Sequence, residues 1–478
     1  MGQDLSEKSK VEKLILLAEK ILAEVGIKIL SKEYFDLLSD RGLTIKEGRI
    51  FFTKDEIQKY LAMAPGPFTL YGINPVHDMA VGRGLSQTAP GYGCSSVMDP
   101  WGETRDARFQ DHLELVKLVH QSPCFAINGG ILAQPSDIPA EFSHLAMHYA
   151  SLVYSDKCIM GMPGTRDQME EIMTLTALRL GGEEILKQSP RIITMISPIS
   201  PLQMDRMGLN SIEIAARYHQ PIMASPGVAA GTTGPVDLAS NLAMATAEAL
   251  CIIMIAQVFN PGTPAIFGLQ CYGSDMKTGN ISTGSPAYAL QAKYCAALAR
   301  HFNLPSRAGG AVNDARSLSA QAGYESMLSI FTAIQNNISI IVHSAGIMNN
   351  FAAMSFEKFI MDLEMIRMAR FYMDDLDVND EALNFELIRE IGPGGLFLTS
   401  MDTMKKCRTH AWNPDVALRG PLGGLSPEDK LLDNIQKTRE KMLAAYTPPE
   451  IDPEILDQMN RFMKEKGMDP SALPLENL

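Results

Sequence analysis

The 478-residue chain has seven cysteines and no C-x-x-C pair among them. Cys94, Cys124, Cys158, Cys251, Cys271, Cys295 and Cys407 are odd in number and widely scattered. That excludes a disulfide framework and points to a reducing, cytoplasmic setting. Basic charge is also scarce: 42 Lys and Arg against 55 Asp and Glu leave a net charge of -13. A nucleic-acid binder needs Lys and Arg to displace phosphate counterions, so that class is excluded. There is no P-loop, no H-E-x-x-H and no G-x-S-x-G elbow, which removes support for phosphoryl transfer and serine acyl transfer. No G-x-G-x-x-G lies between a strand and a helix, which weakens a dinucleotide-binding sheet. The charged opening MGQDLSEKSK lacks the apolar core of a secretory signal. The longest apolar stretch, residues 242–259, carries Glu248 and Gln257 and runs into Asn260-Pro261-Gly262. It reads as a buried helix and not as a membrane span.

What is present is a large apolar fraction, 46%, enough for a sizeable core. From about residue 120 to 345, short apolar runs alternate with longer helical patterns. Predicted strands are 124–130, 158–162, 192–197, 221–225, 264–270, 304–309 and 338–344, with an eighth at 396–399. Their near-continuous hydrophobicity suits strands covered on both faces. Helices are expected at 167–180, 206–218, 235–259, 287–302 and 321–336. Such alternation predicts a (β/α)8 barrel, with an open doubly wound sheet as the alternative. The chain is nearly twice the length of a bare barrel. The surplus divides into an N-terminal α/β cap (1–120), including a helix over 10–25, and a charged C-terminal helical extension (425–478). The barrel proper is assigned to 121–424.

In a barrel the chemistry belongs at the C-terminal strand ends. Asn128, Gln270, Arg307 and His343 end predicted strands, and Tyr92 and Asp99 lie in the loop region leading in. His144 and His148, four apart with Glu141 nearby, have metal-ligand spacing but no completing set, so no metal site is expected. They read instead as histidines on the polar face of a barrel helix.

Several segments carry a resemblance. ILAEVGIKILSKE, APGPFTLYGINP, GYGCSSVMDPWGETRDA, LPSRAGGAVNDARSLSAQAGYES, VHSAGIM and GPGGLFLTSMDTMKKCRTHAWNPD resemble the trimethylamine methyltransferase superfamily from about residue 12 to 420. The resemblance implies a (β/α)8 barrel that moves a methyl group from an amine to the cobalt of a corrinoid held by a separate cognate protein. The founding enzymes use pyrrolysine; this chain carries ordinary residues, so it resembles the branch acting on quaternary amines such as glycine betaine, proline betaine or carnitine. A quaternary nitrogen leaves as a neutral amine and needs no general acid. Such a site requires a cation cage, a handle for the far end of the substrate and an open mouth.

Arg307 is the expected handle, because a guanidinium grips a carboxylate through two parallel hydrogen bonds. Tyr92, Phe351 and Phe356 are candidates for the cage. His343, within VHSAG, is expected to face the transferred methyl or the corrinoid. Gln270 and Asp275 are expected to attract the cation. The competing classes are a quaternary-amine binding or sensing protein without turnover and an unrelated barrel lyase. The lyase lacks a Schiff-base lysine at the end of any of the seven best strands. A homo-oligomer is expected on general grounds.

Overall fold

The computed structural model describes residues 6–474, so the opening MGQDL and the last four residues lie outside it. Eight parallel strands form one sheet. In chain order they are β1 (Gln87–Thr88), β2 (Ile127–Gly129), β3 (Cys158–Met160), β4 (Ile192–Ile196), β5 (Ile222–Ala224), β6 (Ala265–Gly268), β7 (Ser306–Gly309) and β8 (Ile340–Val342). β1 pairs with β8 through Gln87 opposite Ile340 and Thr88 opposite Ile341. A bridge from Thr88 to Phe125, just before β2, brings the two ends of the sheet together. Each strand is followed by a wall helix: α1 (Phe109–Gln121), α2 (Ala140–Tyr154), α3 (Arg166–Leu180), α4 (Arg206–Arg217), α5 (Leu238–Phe259), α6 (Pro286–His301), α7 (Ala320–Gln335) and α8 (Phe356–Met373). The fold is a (β/α)8 barrel, and the doubly wound alternative is set aside.

Seven strands fall where the apolar runs place them. The eighth does not. Residues 396–399 form an exposed turn containing the 3-10 segment Phe397–Thr399, and the missing strand is Gln87–Thr88. The barrel therefore takes its first strand and its first helix from the stretch assigned to the cap. A strand of two polar residues leaves no hydrophobic run to read.

Helix α5 shows why the longest apolar stretch is not a membrane segment here. It is long and apolar enough to span one, yet 89% of its most apolar window is buried inside the protein. Small Ala residues let it lie close between neighbours, and the N-terminal helix Glu7–Lys20 covers it from outside. That helix continues into a π-helical turn, Ile21–Val25, and a small sheet of residues 27–29, 44–46 and 49–51. The sheet recruits Gln203–Met204 from the loop after β4, which pins the N-terminal region to the barrel. The C-terminal helices Pro427–Ala444 and Pro453–Glu465 pack along α1 and α8 and along α3, respectively.

His144 and His148 correct an expectation. They are not on a polar face but are buried between α2 and α3, where His144 meets Glu171 at 2.7 Å and His148 meets the Thr176 hydroxyl at 2.7 Å. All seven cysteines are free thiols, six buried and Cys407 exposed.

Candidate active site

The barrel's C-terminal face gathers a buried cation and an arc of rings. Arg307 sits on β7 and is 0% exposed. Its guanidinium crosses the barrel interior, reaching the Leu269 carbonyl at 3.4 Å and the Met195 sulfur of β4 at 3.8 Å. A Cβ on Gly268 of the neighbouring strand would come within 2.9 Å of the arginine stem, so only glycine gives it passage. Nε has no partner. The groups that sense its charge are the neutral Tyr288, Tyr272 and Cys295, and burial pulls its pKa down. A buried guanidinium with two weak contacts and no carboxylate is a costly arrangement unless a ligand completes it.

Around it runs a chain of rings. Tyr288, in the first turn of α6, stacks flat on Tyr272 at 6.0 Å with 4° between planes. Tyr272 meets Phe351 edge-on at 6.0 Å, and Phe351 meets the His343 ring at 4.8 Å. His343 in turn meets Tyr92 at 6.0 Å. The hydroxyls of Tyr92 and Tyr288 are buried without a partner. A Cβ on Gly309 would overlap the Tyr288 hydroxyl, so β7 ends in the residue that admits it. Burial keeps the phenols neutral: Tyr288 is pushed up to about 12, and Tyr92 and Tyr272 are raised well above the ordinary phenol value too. Phe351 is held at φ 68 after Asn349 and Asn350, both also left-handed. A bulky residue in that region marks strain kept for position.

His343 directly follows β8, is 4% exposed and lies at φ 56. Its Nδ1 accepts the Tyr92 backbone N–H at 3.3 Å. That leaves the ring proton on Nε2. Burial, then the nearby Arg307, hold its pKa well below the usual 6.5. The imidazole is therefore neutral throughout the physiological range. In a 15N-NMR titration the His343 signals should not move between about pH 5.5 and 8, where an ordinary histidine titrates; an inflection there would show a cationic ring.

The remaining expected residues separate. Gln270 stands at the same rim, its Oε1 accepting the Ser225 hydroxyl at 3.1 Å. Asp275 is exposed at the tip of a hairpin after β6, where it accepts from the Lys277 N–H and the Thr278 hydroxyl and caps its own turn. Phe356 starts α8 on the barrel's outside, its ring 4.1 Å under the Arg439 guanidinium. Asn128 ties β2 to the Val116 carbonyl of α1, and Asp99 caps the turn at Trp101 to Glu103. Neither belongs to the arc. Tyr272 and Tyr288 are not legible in the sequence as members of the arc: one lies past a strand end, the other inside a helical pattern, and only folding stacks them.

The loops after β6, β7 and β8 line an open polar pocket of about 630 Å³, with Asp275, Asn280, Asp314, Arg316, Asn349 and Asn350 among its walls. Asp314 fastens one wall, accepting from the Ser282 hydroxyl and the Thr283 and Gly284 N–H groups. Among the described residues, no three His, Cys, Asp or Glu side chains converge as metal ligands.

A family model described as trimethylamine methyltransferase (MTTB) matches residues 3–469. The chain belongs to the trimethylamine methyltransferase family. It is 34% identical over 477 residues to the glycine betaine methyltransferase of Desulfitobacterium hafniense (strain Y51), covering 98% of this chain and 99% of that one. It is 26% identical to the proline betaine:corrinoid methyltransferase of Eubacterium limosum, over 95% and 96% of the two chains. Among solved structures, the monomethylamine methyltransferase of Methanosarcina barkeri superposes with a TM-score of 0.52 over 93% of this chain and 89% of that one. At 13% identity that likeness speaks for the barrel alone.

Proposed function

We propose that this family member is a methyltransferase that takes an N-methyl group from a small carboxylated quaternary amine and delivers it to a cognate corrinoid protein. The observation that carries the reading is Arg307: a buried cation without a carboxylate of its own, beside rings suited to a trimethylammonium group. A betaine satisfies both. Its carboxylate neutralises the guanidinium, with the Tyr288 hydroxyl as a second donor, and its cationic nitrogen lies against neutral aromatic faces. Choline or tetramethylammonium would add a second positive charge beside Arg307 and leave the first unpaired, so both are disfavoured.

When docked, the corrinoid supplies a reduced cobalt that accepts the methyl group. The chain's own part is to bind, orient and keep water out. The C–N electron pair stays on nitrogen, the departing amine is neutral, and no acid is required; the neutral His343 and high-pKa phenols fit that demand. The polar walls of the open pocket formed by the loops after β6, β7 and β8 suit the amide-fringed edge of a corrinoid. Pyrrolysine has no part in this scheme, and the free thiols agree with a cytoplasmic location.

The test mixes the protein with reduced corrinoid protein and glycine betaine, proline betaine, carnitine or choline. Carboxylated substrates should change the corrinoid spectrum and release the demethylated amine, and choline should do neither. Betaine binding in the calorimeter without demethylation would make the protein a binding or sensing module instead. Phe351→Leu should weaken betaine affinity about 5- to 30-fold, the loss of one desolvated cation–π face. An unchanged dissociation constant would take the ring out of the cage.

A further inference from the structure

The aromatic arc draws on two loops that a third holds together. Tyr272 opens the loop after β6, whose short hairpin pairs Gly273 with Ser282, and Tyr288 stands just beyond it in α6. Phe351 comes from the loop after β8. Between these runs the loop after β7, and three of its consecutive residues reach both neighbours. The carbonyls of Asn313 and Ala315 accept the Asn350 and Asn349 N–H groups at 3.0 and 3.1 Å, and the Asn313 side-chain amide donates to the Ile347 carbonyl at 2.7 Å. These bonds hold the left-handed turn that presents Phe351. Asp314, the residue between, takes the other loop. Its Oδ1 accepts the Thr283 N–H at 2.7 Å, the Thr283 hydroxyl at 3.0 Å and the Gly284 N–H at 2.9 Å, and its Oδ2 accepts the Ser282 hydroxyl at 2.6 Å. Asn350 closes the circuit, its Oδ1 accepting the same Thr283 N–H and hydroxyl at 3.2 and 3.1 Å. Glu325 of α7 anchors the whole by accepting the Asp314 N–H at 2.8 Å. A Cβ on Gly284 would overlap the Glu325 carboxylate, so the chain comes this close only because residue 284 is glycine.

We infer that Asp314 is a positioning residue of the cation cage: it sets how the Tyr272–Tyr288 pair stands against Phe351, and so how closely the three rings surround a quaternary ammonium. This rests on the betaine reading of the site. The chemistry of the bracket suits the task. Hydrogen bonds to an ionised acceptor are roughly twice as strong as neutral ones, and this carboxylate takes four of them from three consecutive residues. Thr283 and Asn313 are 0% exposed, so water does not stand in for the bonds at either end. The cage needs such a fixture because a cation is held only within about 6 Å of a ring centroid, and the rings come from different loops. Arg307, in contrast, lies on β7 itself, below the bracket. Asp314 therefore bears on the ammonium end of the substrate more than on the carboxylate end.

Calorimetry of the full-length protein with two ligands tests this: glycine betaine, and tert-butylacetate, in which a neutral carbon replaces the charged nitrogen. Both carry the same carboxylate, so any change at Arg307 or the Tyr288 hydroxyl cancels in the ratio of their dissociation constants. Asp314→Ala should move that ratio against betaine by about 5- to 30-fold, the worth of one desolvated cation–π face. Asp314→Asn, which keeps an oxygen in the place of Oδ1, should restore most of the difference. Thr283→Val removes a single buried hydroxyl at nearly the same shape and should shift the ratio the same way by a smaller factor, so the answer does not hang on the folding of one variant. Without ligand, amide exchange in Asp314→Ala should quicken at 282–284 and 349–351 together while β7 keeps its wild-type rate. A wild type that binds both compounds, with a ratio unmoved in Asp314→Ala and Thr283→Val, would overturn this inference alone and make Asp314 a structural prop. A wild type that binds neither compound would overturn the betaine reading and this inference with it.

Discussion

Replacing Arg307 with methionine should raise the half-saturation concentration for a betaine while leaving the fold as stable as before or more so. Truncating one partner of a buried hydrogen-bonded charge pair removes roughly 2–5 kcal/mol, or about 30- to several-thousand-fold in affinity. The stability half of the expectation follows from the guanidinium's surroundings within the chain: a long contact to a carbonyl, another to a thioether, and an unpartnered Nε. An unpaired buried charge opposes folding, and an apolar side chain of similar volume removes that term. Steady-state assays and thermal unfolding of the same preparation check both halves. If the half-saturation value does not change, Arg307 is not the handle. If the protein unfolds much more easily while still binding betaine, the arginine is a structural prop.

Lys157 is the contrasting case. It too is buried, just ahead of β3, and burial pulls its pKa down to about 8. Its ammonium, however, donates to the carbonyls of Val119, Ser122 and Phe125 at 2.6–2.7 Å. These belong to the last turn of α1 and the turn into β2, where helix carbonyls have no partner of their own. Lys157→Met should therefore lower the unfolding free energy by about 3–9 kcal/mol, at ~1–3 kcal/mol for each of the three carbonyls. Urea denaturation reads this out, and a loss under about 1 kcal/mol would mean that water takes over the three bonds. Betaine affinity in the folded fraction should be unchanged, since Lys157 lies at the barrel's far rim. Two buried cations in one barrel thus give opposite outcomes. The difference lies in what each one faces.

Much of the barrel is legible in the sequence because strands covered on both faces must be apolar almost throughout, and seven runs announce themselves that way. Gln87–Thr88 gives no such signal, and the apolar LFLT at 396–399 offers a false one; hydrophobicity there serves a surface and not a core. At the barrel's C-terminal rim, Arg307, His343 and Gln270 are readable because a polar residue closing an apolar run stands out. Tyr92 is readable only as part of a loop, and the first barrel strand places it. Tyr272 and Tyr288 become neighbours through the packing of α6 over the end of β6, which no local pattern encodes. Phe351 and Phe356 look equivalent in sequence, but the left-handed turn at 349–351 sends only the first of them to the mouth.

The pairing of β1 with β8 bears on how the protein is made. The residues that meet there, Gln87 with Ile340 and Thr88 with Ile341, are about 250 positions apart, and Arg370 then clasps the Thr88 hydroxyl from still further along. A ribosome must deliver three quarters of the chain before the ring can shut. Until then the nascent polypeptide holds an open sheet with both edge strands bare and a long apolar α5 waiting for its covers. Synthesis rate and chaperone supply, more than the stability of the finished molecule, should govern how much of this protein a heterologous host yields.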